Sequence, residues 1–475
     1  MTAFLLALPF FLFLGHWGLI EPTDARYAEI AREMLFSGDW VTPHLLGLPY
    51  FQKPPLSFWL IASGLKIFGI NEWGARFFQA LAAFGTALLI YRTHRRAAWI
   101  LAASPLFWIH SRLLSADMFL TFFVTAAWVM GYGLRVTGHD QRPLDSKVDT
   151  RAPCPVTLSF AVALAFLTKG PVALLWTVVP MMLLNSPLLW RERVRVRGSF
   201  NDSNVTLIPA FSLQGRRGLL IAIAATVLAL SWYLLVSFRN PGLLSYFLDV
   251  QLWKRVTSVE TFHRGGPIYY YLPLLMIAFL PYIRYWKSAL KILWADKTLL
   301  FWAGWPLVVL SLVASKLPGY LLPALVPFAI AIGRAIPEED RNWGWGGALS
   351  LTILFTFWLG APRWFPQLPT IREHARVLKQ HWSPGDRVTV LSRKLYGLTF
   401  YTGLIPLSET RALNPAYLIL KPEFIFCEMD QVHSLPRAVK RSIQLLYPSN
   451  FPLKSTPTPL ILLSTFKSAE RGAFK

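Results

Sequence analysis

Charge is scarce in this chain and cysteine scarcer. Only 15% of its 475 residues are charged, where a soluble domain carries about 25%. Its two cysteines, Cys154 and Cys427, have no zinc-ligand spacing, and neither a disulfide scaffold nor a structural zinc site is expected. No Walker loop, dinucleotide fingerprint or nucleophile elbow occurs. An Asp-x-Asp pair that could hold a metal-bound nucleotide is missing too, so a nucleotide-linked donor is not expected. No internal repeat or low-complexity tract is evident.

Apolar residues fill the space. They make up 54% of the chain, mean hydropathy is +0.42, and they come in blocks near the spanning length of about 20 residues. The net charge of +22 could mark a nucleic-acid binder. With so many apolar blocks, it is read instead as lysine and arginine in membrane-flanking loops beside anionic lipid. Membrane lipids are expected partners and nucleic acid is not. The blocks run roughly over 1–20, 76–91, 97–114, 118–134, 157–168, 170–186, 218–236, 268–283, 298–314, 318–333 and 343–360. Residues 1–20 lack a basic start and a small-x-small cleavage site, so they are read as an uncleaved first span.

With a cytosolic amino terminus, the loops 92–96, 135–156, 187–217, 284–297 and 334–342 hold 19 Lys and Arg. The short opposite loops hold 7, an asymmetry that fixes this orientation by the positive-inside rule. It also places Glu21, Asp24, Lys53, Asp117, Lys169, Arg255, His263, Arg264 and Lys316 on the outer face. Ionisable residues at span ends are costly without partners or work, and their gathering on one face suggests a site. The two cysteines fall on opposite faces.

Residues 21–75 are not a span. The run 24–36 (DARYAEIAREMLF) reads as an amphipathic helix stopped by Ser37-Gly38, with Arg26, Glu29, Arg32 and Glu33 on its polar side. A second helix is expected after Pro54-Pro55, both lying flat at the interface. From about 362 the composition turns soluble. A helix (TIREHARVLKQ) precedes the turn 384–386 and strands at 387–391, 417–420, 424–427 and 460–463, which suggests a small α/β domain. That segment carries 16 Lys and Arg against 7 Asp and Glu, favouring an anionic surface. The division expected is 1–361, a transmembrane domain, and 362–475, a soluble periplasmic domain.

Taking a sugar from a lipid phosphate needs a cationic cradle for the leaving phosphate, a carboxylate to activate or orient the acceptor, and a position at the bilayer edge. Glu21-Pro-Thr-Asp24-Ala-Arg26 supplies carboxylates and a cation directly after the first span; Thr23 or Asp24 could equally cap the helix that follows. Lys53 stands between aromatics and a stiff diproline, as a phosphate lysine or as a snorkelling anchor. Asp117, at a junction of two spans, is functional by default unless it only pairs with Arg112. Lys169, in Thr-Lys-Gly-Pro, and Lys316, in Ser-Lys-Leu-Pro-Gly-Tyr320, repeat a turn-lysine design that suits a phosphate clamp or an interface anchor. His263-Arg264-Gly-Gly adds a flexible cationic turn.

These segments resemble the membrane glycosyltransferases of the lipid A aminoarabinose transferase and protein O-mannosyltransferase-like superfamily. The resemblance rests on ARYAEIAREMLFSGDWVTPHLLGLPYFQKPPLSFWL, LLSADMFLTFF, LTKGP, HRGGPIYYYLP and SKLPGYLLPALVPFA, in order from about residue 20 to 335. It implies an all-α, GT-C-like polytopic fold of about eleven helices with a small C-terminal α/β domain. It implies too an undecaprenyl-phosphate-sugar donor, inversion at the anomeric carbon, and lipid A or another envelope glycan or protein as acceptor.

Three departures matter. The family's Asp-Glu pair before Ala-Arg-Tyr is Thr23 and Asp24 here, leaving Asp24 or Glu21 to do its work. The Glu before the lysine of the Lys-Pro-Pro run is Gln52, and the later metal-partner His is Leu252 or Gln251, so no metal cofactor is expected. Lys53, with Arg26, Lys169, Arg255, His263, Arg264, Lys316 and Tyr320, is expected to hold the donor phosphate; Asp24, Asp117 or Glu21 would position the acceptor. A transporter would instead place charge near the bilayer midplane, and a non-catalytic lipid-binding relative is the other alternative.

Overall fold

The apolar blocks become helices, several broken where proline or a buried cation intervenes. The computed structural model describes residues 2–132, 155–184, 216–257, 265–364, 370–383, 387–391, 395–404, 407–409, 423–428, 443–453 and 456–465. The helices are α1 (Thr2–Phe11), α2 (Thr23–Ser37), α3 (Leu56–Phe68), α4 (Glu72–Tyr91), α5 (Arg95–Ala102), α6 (Pro105–His110), α7 (Ala116–Tyr132), α8 (Pro155–Lys169), α9 (Val172–Trp176), α10 (Val178–Leu184) and α11 (Arg216–Arg239). Further along come α12 (Tyr271–Ala278), α13 (Trp286–Ala295), α14 (Lys297–Leu312), α15 (Leu322–Ala335), α16 (Trp343–Trp364), α17 (Arg372–His381) and α18 (Tyr396–Thr402). Among the described residues, Glu72–Tyr91, Pro318–Ala335 and Trp343–Trp364 are each long and apolar enough to cross a bilayer. The segments Leu280–Ala295 and Lys297–Leu312 pass that test together, bent by 100°.

The block at 1–20 is helical only to Phe11. The guanidinium of Arg112 donates to the carbonyls of Pro9 and Leu12 (2.8 Å to Leu12), satisfying groups that a helix end leaves bare. The 97–114 block divides at Ser104-Pro105, with proline at the first position of α6, where its missing N–H costs nothing. The 170–186 block divides at Thr177, which leaves helical geometry (φ −123, ψ −82).

The chain groups into two compact units. One holds Met1–Leu12, Phe51–Ser57 and Gln79–Leu354; the other holds Phe13–Tyr50, Phe58–Phe78 and Phe355–Lys475.

In the first unit α15 is buried on every side from Leu322 to Ile332, as a helix apolar all round must be. It packs against α5, α7, α13 and α14, while α8 packs against α7 and α11. At its C-terminal end Arg334 pairs with Asp296 at 2.7 Å and donates to His94 Nε2 at 3.1 Å. Arg96 donates to the carbonyl of Ile336 at 2.7 Å, and Arg284 pairs with Asp340 at 2.7 Å. Three of the loops assigned to the cytosol, 92–96, 284–297 and 334–342, therefore meet there. At about 1.5 Å per residue, the 14 residues of α15 put roughly 20 Å between that end and Tyr320.

In the second unit α2 stops as expected, with Gly38 left-handed (φ 69) and its N–H donating to Met34 O. Its polar side is not a solvent face. Glu29 is fully buried in an ion pair with Arg32 at 2.8 Å, and Glu33 accepts the N–H groups of Leu46 and Gly47 at 2.6 and 3.1 Å. The short hairpin of β1 (His44–Leu45) and β2 (Leu48–Pro49) turns there.

The later strands are β3 (Arg387–Leu391), β4 (Leu407–Glu409), β5 (Glu423–Glu428), β6 (Ile443–Leu453) and β7 (Thr456–Thr465). They form one sheet in the order β4-β3-β5-β7-β6, parallel between β4, β3 and β5 and antiparallel through β7. Ile371, Ala375 and Leu378 of α17 share a core with Val388, Val390, Leu395 and Leu398. Sequence periodicity finds α17, β3, β5 and β7 but misses β4, β6 and α18. Strand β6 carries Pro448 and Pro452 with register shifts, and such prolines are tolerated because it is an edge strand. His263, Arg264, Cys154, the turn 384–386, the strand expected at 417–420 and most of the loops 135–156 and 187–217 lie outside the described residues.

Candidate active site

Two polar groups form, one in each unit. In the first, Asp117 lies in the first turn of α7 and Lys169 is the last residue of α8. Each sits at the helix end that favours its charge, and the two form an ion pair. The ring of Tyr320 stacks on the Lys169 ammonium at 4.0 Å, an attraction that strengthens away from water. Gly170, next along, is left-handed (φ 71), and a methyl there would come within 2.5 Å of the Tyr233 hydroxyl; glycine is what lets the turn form.

Lys53 is close enough for its charge to act on Asp117. Lys316 is buried, donates to Val313 O at 2.7 Å, and its stem packs beside Gly266 of the Gly-Gly-Pro turn. Arg112 is not the carboxylate's ion-pair partner; its side chain serves α1. The structure thus gathers Asp117, Lys169 and Tyr320, with Lys53 acting on the carboxylate; the Lys316 ammonium is turned to Val313 O. Arg255 lies on a short helix, Lys254–Thr257, and its side chain is outside the described set. Sequence reasoning missed His110, whose Nδ1 lies 2.9 Å from Leu106 O. A lone histidine at the end of an apolar block gave no signal.

The second unit holds Glu21, Asp24 and Arg26. Asp24 is buried in an ion pair with Arg76 and accepts the N–H of Ile20 at 3.0 Å. It is not the helix cap, because α2 begins after Pro22 with no side-chain cap. Arg76 is fully buried and also donates to the carbonyls of Leu14, Trp17 and Gly18 at 3.2, 2.8 and 3.0 Å. This pair holds the first loop together, whereas Arg76, which opens the apolar block 76–91, reads from the sequence as the edge of a span.

Glu21 accepts the N–H of Gly397 at 2.5 Å, and its other oxygen is buried with no hydrogen bond among the described residues. Burial pushes its carboxyl up to about 8, against the opposing pull of the N–H groups of Gly397 and Tyr396. Arg26 bonds to Tyr396. The hydroxyl of Tyr401 donates to Glu72 at 2.9 Å and accepts from Leu19 N at 2.7 Å, while Arg372 reaches Glu72 at 3.3 Å.

This architecture is that of known membrane proteins. The crystal structure of ArnT from Cupriavidus metallidurans bound to undecaprenyl phosphate matches with a TM-score of 0.72 over 97% of each chain, at 22% identity. Its apo state matches with a TM-score of 0.70 at 21% identity, over 98% of each chain. The fold is therefore the ArnT fold.

Residues 14–247 match the family model of dolichyl-phosphate-mannose-protein mannosyltransferases. The undecaprenyl phosphate-alpha-4-amino-4-deoxy-L-arabinose arabinosyl transferase of Pseudomonas aeruginosa (strain UCBPP-PA14) is 32% identical over 345 residues, covering 69% of this chain and 57% of that protein. Its counterpart in Serratia proteamaculans is 30% identical over 350 residues, covering 70% and 57%. The chain belongs to the membrane glycosyltransferase superfamily that holds these proteins. It spans less than two thirds of the length of the curated relatives it matches.

Proposed function

We propose that the chain is a membrane glycosyltransferase that moves a sugar from undecaprenyl phosphate to an envelope acceptor, of which lipid A is the leading class. The observation that carries this reading is the meeting of Asp117 with Lys169 and Lys53, beside Tyr320, at one end of the first unit's helices. A lipid phosphate needs such a place, because its chain stays in apolar surroundings while its headgroup meets fixed cations. The relatives named for transfer from this carrier, and the fold crystallised with it, favour the same donor.

The step is one in-line displacement with inversion. An ionised acceptor oxygen, such as a phosphate oxygen of lipid A, forms its bond to the anomeric carbon as the bond from that carbon to the carrier's phosphate oxygen breaks, and the electron pair leaves with the carrier phosphate. Lys169 and Lys53 stabilise that developing charge, and Asp117 orients the reacting sugar and the acceptor beside it. Asp24 is the less suited carboxylate, being tied to Arg76. The reading takes no metal: Gln52 is an uncharged amide, and the Gln251 amide donates to the Tyr246 hydroxyl at 2.7 Å.

In this proposal about eleven helices span the inner membrane, the lysines face the periplasm by the loop asymmetry, and residues 362–475 form a periplasmic α/β domain. Mass spectrometry of lipid A and envelope glycans from cells with and without the gene tests it. The expected result is one sugar lost on deletion, restored by the wild type and not by Lys53→Ala; unchanged glycans would refute it.

A further inference from the structure

Two acceptors, Asp117 Oδ2 and His110 Nε2, close on the bare Cα of Gly319. A methyl on Gly319 would sit 2.8 Å from Asp117 Oδ2 and 3.3 Å from His110 Nε2, so only glycine lets both atoms approach the same point. Lys169 takes the other oxygen of Asp117, Oδ1. The carbonyl of Leu106 can only accept, so His110 Nδ1 carries the proton and Nε2 of the neutral ring presents a bare lone pair. Among the described residues no hydrogen bond ends on Oδ2 or on Nε2. Both groups are partly open: the Asp117 side chain keeps 14% of its surface exposed and His110 is half-buried.

Two neighbouring acceptors with no hydrogen bond among the described residues, next to Lys169, fit a ligand that carries an anion on one side and adjacent N–H or O–H donors on the other. We infer that His110 Nε2 and Asp117 Oδ2, across Gly319, form the subsite that reads hydroxyl or amino donors on the sugar of the lipid-phosphate donor. This rests on the proposed function, since the phosphate on Lys169 places the sugar. Lys169 and Lys53 hold the part common to the loaded and spent carrier, whereas His110 and Asp117 touch only what the loaded carrier adds. The subsite therefore confers preference for substrate over product, because a bare acceptor pair is left unmatched when the sugar is gone.

The test is binding to the full chain in detergent, using undecaprenyl phosphate, an undecaprenyl-phosphate hexose and an undecaprenyl-phosphate aminopentose. His110→Phe keeps a ring but removes Nε2, and Gly319→Ala puts a methyl against both acceptors and forces them apart. Each is expected to weaken at least one glycosylated lipid by about tenfold while leaving undecaprenyl phosphate within about threefold of wild type. That retained binding also certifies the fold. His110→Gln, which returns an acceptor, should recover part of the loss.

Equal weakening of bare and glycosylated lipid by His110→Phe overturns the subsite and leaves the proposed function standing. So does a wild type that binds neither glycosylated lipid more tightly than the bare one. A wild type that binds none of the three overturns the function and the subsite with it.

Discussion

Lys169 and Asp117 form an ion pair across two helix ends, the ammonium closing α8 and the carboxylate opening α7. The lysine is thus held in place before any ligand arrives. A buried cation with one carboxylate partner and an aromatic ring beneath it can exchange that partner for a phosphate with little rearrangement. Lys169→Ala should weaken undecaprenyl phosphate binding by about tenfold or more, the worth of a charged hydrogen bond. Titration of detergent-solubilised protein measures it, with thermal melting to confirm the fold. Full affinity in Lys169→Ala would remove this residue from the clamp.

The turn that delivers Lys169 is as specific as the lysine. Gly170 has φ 71, and a side chain there meets the Tyr233 hydroxyl. Gly170→Ala combines left-handed strain with a steric overlap, together about 1–3 kcal/mol. It should lower both melting temperature and donor affinity. Pairing it with Tyr233→Phe, which removes the obstructing oxygen, should restore part of each.

Asp24 and Arg76 make a contrasting case. Both are buried and each is the other's ion partner, so breaking the pair strands a charge at a cost of about 3–5 kcal/mol. Arg76→Leu should reduce the yield of folded, monodisperse protein on size-exclusion chromatography. Asp24→Asn, which still accepts a hydrogen bond, should lower the melting temperature less and retain most activity per folded molecule. A large fall in turnover at unchanged melting temperature would return Asp24 to a chemical role.

The contrast marks what the sequence could and could not disclose. Lys169, Lys316 and Tyr320 stand out in the sequence because a lysine recurs in Gly-Pro and Leu-Pro-Gly turns between apolar blocks, a pattern that suits a phosphate clamp or an interface anchor alike. Helices α4, α7, α8, α11 and α16 were legible from apolar length alone. Arg76 was not, because an arginine at the first residue of an apolar block looks like an interface anchor until the carbonyls of Leu14, Trp17 and Gly18 are found around it. The burial of Glu29 and Arg32 was hidden likewise: an i, i+3 pair reads as a solvent face until tertiary packing covers it. The break after Phe11 depends on Arg112, a hundred residues away, which no local pattern contains.

Glu21 gives a pH dependence of definite sign. Its carboxyl is raised from 4.5 to about 8 by burial, so in the native state it keeps its proton where the unfolded chain has lost it. Its contribution to stability is complete below about 4.5, falls as pH rises from there to about 8, and then levels off. Glu29, raised to about 8 by the same cause, adds in the same direction. Melting temperature should therefore decline between about pH 5 and pH 8, and Glu21→Gln should flatten the decline and stabilise the protein most at the alkaline end. An unchanged slope in Glu21→Gln would show that this carboxyl titrates normally.

The orientation of the first unit can be tested at both ends of α15. Its N-terminal end adjoins the turn carrying Lys316 and Tyr320, and its C-terminal end carries Arg334, paired with Asp296 and bonded to His94. A helix of that length separates the two groups by about the thickness of a bilayer's apolar core, once the flanking turns are included. Single cysteines in a background lacking Cys154 and Cys427 should then divide cleanly. Lys53→Cys and Leu317→Cys should react with a membrane-impermeant maleimide in intact spheroplasts. Arg95→Cys and Asn342→Cys should react only after the membrane is opened. The prediction has a physical stake beyond topology: the carrier's phosphate can reach Lys169 only from the side on which Lys53 and Lys316 lie. Labelling of Lys53→Cys and Leu317→Cys from different sides would separate two cations that the proposed clamp requires to act on one phosphate.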